Sequence, residues 1–341
     1  MNKPTVHDIA KEAGVSLATV DRVLNARPGV HVKTIAKVQA TVKRIGYVRD
    51  TYAANLARRR QYRFAFVLPD GPSQFAKTLK AELKEAYSSP IADRMLLNVV
   101  GVPQHDPHGI VHSLQSLEAG QLDGVALMVP ETPQVRDAVV RLKSEGTAIV
   151  ALVSDLPNSG RQHFIGISSL AAGRTAAQLM GRFMKEKGEI LVATNSMRSR
   201  DSLERRLGFD EVMLADFPNI KVLPSVESYD DPGRMEKVVG EVVASRPRLA
   251  GIYSMGSGNT AMLNALRQSG RLGEMVVIAH ELTPTTRSAL LGDEISAVIT
   301  QNVGHLVRSA LRVLRNLSDN LPIFEAQERM RIEILLKDNL P

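Results

Sequence analysis

From Arg63 onward the chain keeps one rhythm, and that rhythm limits its fold more than any other feature. Short runs rich in β-branched and apolar residues fall at 64–69, 96–102, 124–129, 148–154, 189–194, 222–228, 250–255 and 276–281. Amphipathic stretches follow them at 75–88, 108–119, 133–145, 171–187, 204–216, 233–245 and 259–269. A strand that is apolar at nearly every position must be buried on both faces, as in a parallel sheet covered by helices on each side. Eight such units predict an α/β fold of two doubly wound parallel-sheet lobes. One sheet is the weaker reading, because a single hydrophobic core stops growing near about 250–300 residues and this chain has 341.

The first fifth has a different character. Residues 1–62 hold 12 Lys and Arg against 4 Asp and Glu, while the rest holds 31 against 32. The basic excess therefore sits in the head, the footprint of a polyanion-binding module. A solvated basic arm would carry few apolar residues, but here they recur at helical spacing. Val6, Ile9, Ala10 and Ala13 fall at i, i+3, i+4, i+7, with Thr5 placed to cap and Gly14 to stop the helix. Ser16 caps a second helix running to about Asn25, and a third over 33–45 carries Ile35, Val38, Val42 and Ile45 on one face.

Two short helices joined by a glycine turn and braced by a third make a helix-turn-helix, whose second helix lies in the DNA major groove. On that helix Val15, Val20 and Val23 face the neighbours, while Leu17, Ala18 and Arg22 face outward. Arg22 can donate two hydrogen bonds to guanine O6 and N7, whereas Leu17 and Ala18 offer apolar contact, for example to a thymine methyl. A purely structural three-helix unit is the alternative, and the charge excess on the same segment argues against it.

The run TVHDIAKEAGVSLATVDRVLN, followed by KT, KV and IGY, resembles the DNA-binding head of the LacI/GalR (lac repressor) family over roughly residues 1–60. The resemblance implies a head over 1–48 and a hinge helix or linker over 49–61. It places Thr5, Ser16, Leu17, Ala18, Thr19, Asp21, Arg22, Asn25, His31 and Thr34 at the DNA. Asp21 stands where the family usually has Ser or Thr. A carboxylate there repels a phosphate, so Asp21 is expected to accept a hydrogen bond from a cytosine amine or from Arg22. A helix over 50–60 alone is marginal in water. The resemblance implies that it folds when two subunits lie side by side on DNA, with Leu56 as the wedge in a minor-groove step. Asn55 and the arginines at 58–60 would then lie near phosphates; a soluble charged linker is the plainer alternative.

The resemblance continues into an effector domain similar to periplasmic sugar-binding proteins. It implies crossings between lobes near 163, 300 and 322, with lobes of 62–163 plus 300–321 and 164–299 plus 322–341. Ligands of open α/β sheets bind beyond the carboxyl ends of strands. The candidate effector-binding residues there are Gln74, Phe75, Asp155, Arg200, Asn259, Glu281 and Gln301. Glu281 and Gln301 fall in step with the family's pocket positions; Arg200 and Asn259 need a shift of a few residues. The implied effector is a sugar or sugar derivative. With no Trp in the chain, an aromatic surface must come from Phe75, Phe164, Tyr229 or Tyr253. Arg200 would suit an acidic or phosphorylated ligand.

Two signals point elsewhere. Gly256, Gly258 and Ala261 fit G-x-G-x-x-A between a strand and a helix, with Glu281 twenty residues past Ala261. This supports the alternative function, an NAD(P)-dependent dehydrogenase, although no hydride-transfer constellation accompanies it and close backbone approach also explains the glycines. His105, Asp106, His108 and His112 cluster, but Pro103 and Pro107 bracket them and the spacing matches no zinc site, so a surface loop is expected. G-x-S-x-G, H-E-x-x-H and G-x-x-x-x-G-K-[ST] are absent.

The lack of Cys excludes disulfides and thiolate ligands and suits a reducing cytoplasm. No apolar stretch follows Lys3 and no run approaches about 18 apolar residues, so neither a secretory signal nor a membrane span is expected. The sequence therefore predicts a DNA-binding transcription regulator, a repressor and no enzyme, without cofactor or metal. It is expected in the cytoplasm at the nucleoid, as a homodimer or, in a larger assembly, a tetramer. Its expected partners are a pseudo-palindromic double-stranded operator and a small carbohydrate-like effector.

Overall fold

The computed structural model describes all residues except 1–3, 25–26, 48–59, 72, 118–120 and 185–187. It divides into a head up to Arg60 and a body from Gln61 to Pro341. In the head, α1 (Val6–Ala13), α2 (Leu17–Leu24) and α3 (Val32–Ile45) begin and end where their caps dictate. Thr5 donates to Asp8 Oδ2 through its N–H at 2.8 Å and its hydroxyl at 2.7 Å, and Asp8 N–H donates back to Thr5 Oγ1. These hydrogen bonds hold the Asp8 carboxyl below its ordinary range. Gly14 closes α1 in the left-handed region, at φ 59°.

Ile9, Ala13, Val20 and Val38 are fully buried, with Val15, Val23, Leu24, Val42 and Ile45 packed around them. Val6, expected on this face, is instead exposed, because it opens α1 beyond the edge of a core that starts at Ile9.

The body runs β1 (Tyr62–Asp70), α4 (Gln74–Tyr87), β2 (Met95–Pro103), α5 (Pro107–Gln115), β3 (Gly124–Leu127), α6 (Pro133–Ser144), β4 (Ala148–Leu152) and β5 (His163–Ile165). It continues with α7 (Ser169–Phe183), β6 (Glu189–Thr194), α8 (Arg200–Asp216), β7 (Lys221–Glu227), α9 (Pro232–Ser245), β8 (Leu249–Ser254) and α10 (Asn259–Gln268). Last come β9 (Val276–His280), α11 (Pro284–Leu291), β10 (Ala297–Thr300), α12 (Val303–Ser318), α13 (Glu325–Glu328) and β11 (Glu333–Leu335). The strands form two sheets, ordered β2-β1-β3-β4-β5 and β11-β10-β9-β8-β6-β7. Every pairing is parallel except β10 with β11.

Alternate residues of the central strands feed cores on opposite sheet faces. In β1, Phe64, Phe66 and Leu68 join one cluster, and Ala65 and Val67 another. In β6, Ile190 and Val192 point to one side and Leu191 and Ala193 to the other. That two-sided burial is why these strands read as continuous apolar runs.

Three strands lie outside the eight runs. His163–Ile165 pairs with Val150–Leu152, so the chain leaves the first sheet after 165 and not at 163. β10 belongs to the second sheet through Thr300, and α12 then packs on β3, β4 and β5 of the first. The chain returns to the second sheet at β11. The passages between lobes are thus 166–168, 301–302 and 319–332.

Helices α7 and α8 touch backbone to backbone. A Cβ on Gly173 would lie 2.0 Å from the Arg205 carbonyl oxygen, and one on Gly208 would lie 2.1 Å from that of Leu170. These glycines fix the depth of α8 and with it the position of Arg205.

Candidate functional site

In the head, Leu17, Ala18, Asp21 and Arg22 are exposed together on α2. Ser16 Oγ accepts from Thr19 N–H at 3.2 Å and lies 2.9 Å from Thr19 Oγ1, so both residues build the helix start. His31 likewise caps α3, its Nδ1 accepting from Lys33 N–H at 3.3 Å, with Thr34 half-buried in the first turn. Thr5, Ser16 and His31 thus each hold a helix N-terminus, the end that attracts phosphate. Asp21 pairs with Arg27 at 3.1 Å, against the expected acceptance from Arg22, and Arg27 N–H donates to the Arg22 carbonyl at 2.8 Å. Arg22 is left facing outward. Asn25, Asn55 and Leu56 lie outside the described residues.

In the body, side chains that follow strands of the two sheets meet across the lobes, Gln74 with Thr285, Glu131 with Arg200 and His105 with Asp230. Glu281 follows β9 in the left-handed region, at φ 67°, a conformation costly for a residue with a side chain. Its carboxylate accepts from Thr300 Oγ1 and Gln301 Nε2, both at 3.1 Å. Gln301 Oε1 accepts from Ile167 N–H at 3.4 Å, which ties the pair to two of the three passages between lobes. Beside them Arg205 is 3% exposed. Its Nη1 donates to the Met255 carbonyl, its guanidinium lies 3.8 Å from Asp201 and 4.0 Å from Glu281, and its buried Nε has no hydrogen-bond partner.

Burial pushes the Glu281 carboxyl up, opposed by Arg205 and by the Gln301 and Thr300 hydrogen bonds. Burial, reinforced by Arg205, holds His280 well below its ordinary value and therefore neutral. Its Nε2 lies 2.8 Å from the Tyr253 hydroxyl, and the Tyr253 ring stacks on Phe209 with centroids 4.6 Å apart. Tyr253 is fully buried, so it offers no face to a ligand.

The other sequence candidates divide. Gln74 Nε2 donates to Thr285 Oγ1 of the opposite lobe at 3.0 Å, and Arg200 reaches Glu131 of the opposite lobe at 3.2 Å. Phe75 is instead a core residue, because the second position of α4 faces inward with Ala76 and Leu79. Asp155 is clamped by both ends of the Arg161 fork and by Leu156 N–H. Asn259 accepts from Ser254 Oγ at 2.7 Å and donates to the His280 carbonyl at 3.2 Å.

Sequence reasoning missed Arg205, Glu131 and Ser154. Ser154 follows Val153, which is itself at φ 64°, and its buried hydroxyl has no partner. For Arg205 a signal existed: Ser202, Arg205, Phe209 and Val212 share the buried face of α8, and an arginine in an apolar stripe marks a special site.

The two competing signals have structural explanations. Gly258, at φ 100°, opens α10, and a Cβ there would lie 2.8 Å from Met235 Cε. Glu281, twenty residues past Ala261, follows β9 with its carboxylate turned onto Thr300 and Gln301. Among the described residues no three His, Cys, Asp or Glu converge as metal ligands, and no helix is long and apolar enough to cross a membrane. His105 instead spans the cleft to Asp230.

A basic helix-turn-helix joined to a two-lobed α/β body with a polar cleft defines a DNA-binding head on a solute-binding fold. Residues 64–321 match the periplasmic binding protein domain and residues 5–50 match the bacterial regulatory proteins, lacI family. The chain belongs to the periplasmic-binding-protein domain family and carries a lacI-family head.

Catabolite control protein A of Priestia megaterium is 28% identical over 151 residues, 44% of this chain and 43% of that protein. The sucrose operon repressor of Streptococcus mutans is 27% identical over 215 residues, 60% of each chain. The chain spans about half the length of the curated relatives it matches. Among solved structures, an ABC transporter solute binding protein from Burkholderia graminis in complex with D-arabinose superposes with a TM-score of 0.73 at 24% identity. That match covers 82% of this chain and 96% of the other, and it shows the fold.

Proposed function

We propose that this protein is a sequence-specific DNA-binding transcription regulator, a repressor, whose operator affinity is set by a small carbohydrate-like ligand in the interlobe cleft. The observation that carries the reading is the combination of an outward-facing Arg22 helix in a basic head with a buried polar cluster of Arg205, Glu281 and Gln301 in the body, which we take as the floor of the ligand site. A carboxylate, an amide and a guanidinium side by side suit a ligand rich in hydroxyls, each of which donates and accepts. Ser154, whose buried hydroxyl has no partner, is the first lobe's candidate contribution, and Gln74 and Arg200 are taken as ligand-gated because each already reaches the opposite lobe. The names of the relatives, a sucrose operon repressor among them, support the same reading.

In this account residues 1–48 read DNA, 49–61 link head to body, and the two lobes divide near the observed passages. The protein acts in the cytoplasm as a homodimer on a pseudo-palindromic site, because one small head reads only a half-site. Turnover is not part of the function in this reading, which follows the names of the relatives, a catabolite control protein and a sucrose operon repressor.

The ligand can change DNA affinity only through its differential affinity for the lobe arrangements. A thermal-shift screen of sugars, polyols and sugar acids tests this, since a ligand at ~100 times its Kd stabilises by about 2.7 kcal/mol. A hit that also shifts DNA binding in fluorescence anisotropy supports the proposal. Hits that leave DNA binding unchanged overturn the coupling.

A further inference from the structure

Among the described residues, three polar side-chain contacts join the lobes across the cleft: Gln74 to Thr285, Glu131 to Arg200, and His105 to Asp230. They differ in leverage. Two passages between lobes follow β5 and β10, at one side of both sheets. His105 follows β2 and Asp230 precedes α9 after β7, the opposite edge strand of each sheet. Each therefore stands four strand spacings, about 19 Å, from the passage strand of its sheet. Glu131 and Arg200 stand two and three spacings away, and Gln74 and Thr285 three and one. A contact at the largest lever arm resists opening with the greatest torque.

Asp230 is built to hold that position. It and Tyr229 are successive non-glycine residues in the left-handed region, at φ 61° and 52°. Asn195, at the end of β6, holds both: its carbonyl accepts from Tyr229 N–H at 2.8 Å and its Oδ1 from Asp230 N–H. The Asp230 carboxylate lies 2.8 Å from His105 Nε2 through one oxygen and accepts from Ser257 Oγ through the other at 3.3 Å. The Tyr229 ring meets His105 edge-on at 6.4 Å. Strained backbone held by a dedicated side chain marks a functional element.

We propose that His105 and Asp230 form the clasp that keeps the lobes closed, with Asn195 as its positioning residue. The clasp sets the closed-to-open ratio of the cleft, and its role in regulation rests on the effector reading above. It also gives His105 a use unrelated to metal.

The absence of cysteine makes the test direct. Exposed Gln115 on α5 and Lys237 on α9, each on the helix that follows one half of the clasp, are changed to Cys in the full chain and spin-labelled. Inter-label distances are read by pulsed dipolar spectroscopy without ligand, so the outcome does not depend on the effector assignment. At this lever arm a hinge rotation of roughly 20° separates the mouth by about 7 Å.

His105→Ala and Asp230→Ala should each shift the main distance outward by about that amount. The double variant should add nothing further, and His105→Gln, which keeps an N–H donor, should stay short. A His105→Ala distribution matching the parent overturns the clasp. So does a double variant that opens beyond either single one, which would show that the two residues act through separate partners. A failed ligand screen with an intact clasp would overturn only the effector reading.

Discussion

Gly173→Ala places a methyl group between α7 and α8 where there is no space for one. Its Cβ would stand 2.0 Å from the Arg205 carbonyl oxygen, and ordinary contact begins at 3.4 Å. The helices must therefore part by about 1.4 Å, or the strain must be stored in their backbones. Overpacking costs about 1–3 kcal/mol, and rigid backbone on both sides puts this site near the top of that range. For a body of this size about 3 kcal/mol lowers Tm by roughly 5 °C.

Gly240, in the middle of α9, is the matched control, because a Cβ there meets nothing within 4 Å. Gly240→Ala should stabilise by about 0.4–1 kcal/mol, through the entropy of the unfolded chain. Scanning calorimetry of both variants separates close approach from general glycine effects. Opposite Tm shifts are expected, and the carbonyl displaced in Gly173→Ala belongs to Arg205, so the cleft floor should move with it. A Gly173→Ala Tm within a degree of the parent would refute the claim that these glycines set the depth of α8.

Three further outcomes are expected. Arg22→Ala should weaken binding to the cognate site by about 1–3 kcal/mol and relax preference at one base pair, whereas equal loss on random DNA would make Arg22 a positioning residue. Gln301→Ala removes the amide that joins Glu281 to Ile167, so ligand response should vanish while DNA binding persists; an unchanged ligand midpoint would remove Gln301 from the pocket. His280 is held neutral by burial below its ordinary value of 6.5, so the unfolded chain takes up a proton that the folded one refuses. Its stabilisation is complete above pH 6.5 and falls by about 1.4 kcal/mol per pH unit below it. Glu281, with a raised carboxyl, acts in the opposite sense as pH rises above its ordinary 4.5. Denaturant unfolding of His280→Gln should therefore show a shallower decline from pH 6.5 to 5 than the parent, and an equal slope would place the acid sensitivity elsewhere.

Much of this architecture was legible because burial on both sheet faces leaves an unambiguous signature. The run at 189–194 coincides with β6, all six residues of which are buried. Strands β5 and β11 were not legible, since three residues are too few to show a period. The head was legible through Gly14 and the Thr5 cap.

Site residues were harder to read, because a strand end names a region and not a direction. Asp155 ends a strand as Glu281 does, yet Arg161, six residues on, turns back to clamp it. Arg205 was hidden by Arg200, which has the more conspicuous place at the helix start but lies 37% exposed in an ion pair. His105 looked like a loop histidine because its partner is 125 residues away.

The central claim is sequence-specific reading of DNA under ligand control, and its first half can be tested without knowing the operator. The full-length protein is used to select from a pool of duplexes with a randomised core, and the recovered sequences are compared with the starting pool. The account expects enrichment of one two-fold symmetric site with half-sites about one helical turn apart, and Arg22→Ala should lose one position of that consensus. Recovery of duplexes without any consensus, retained only through salt-sensitive phosphate contacts, would contradict it.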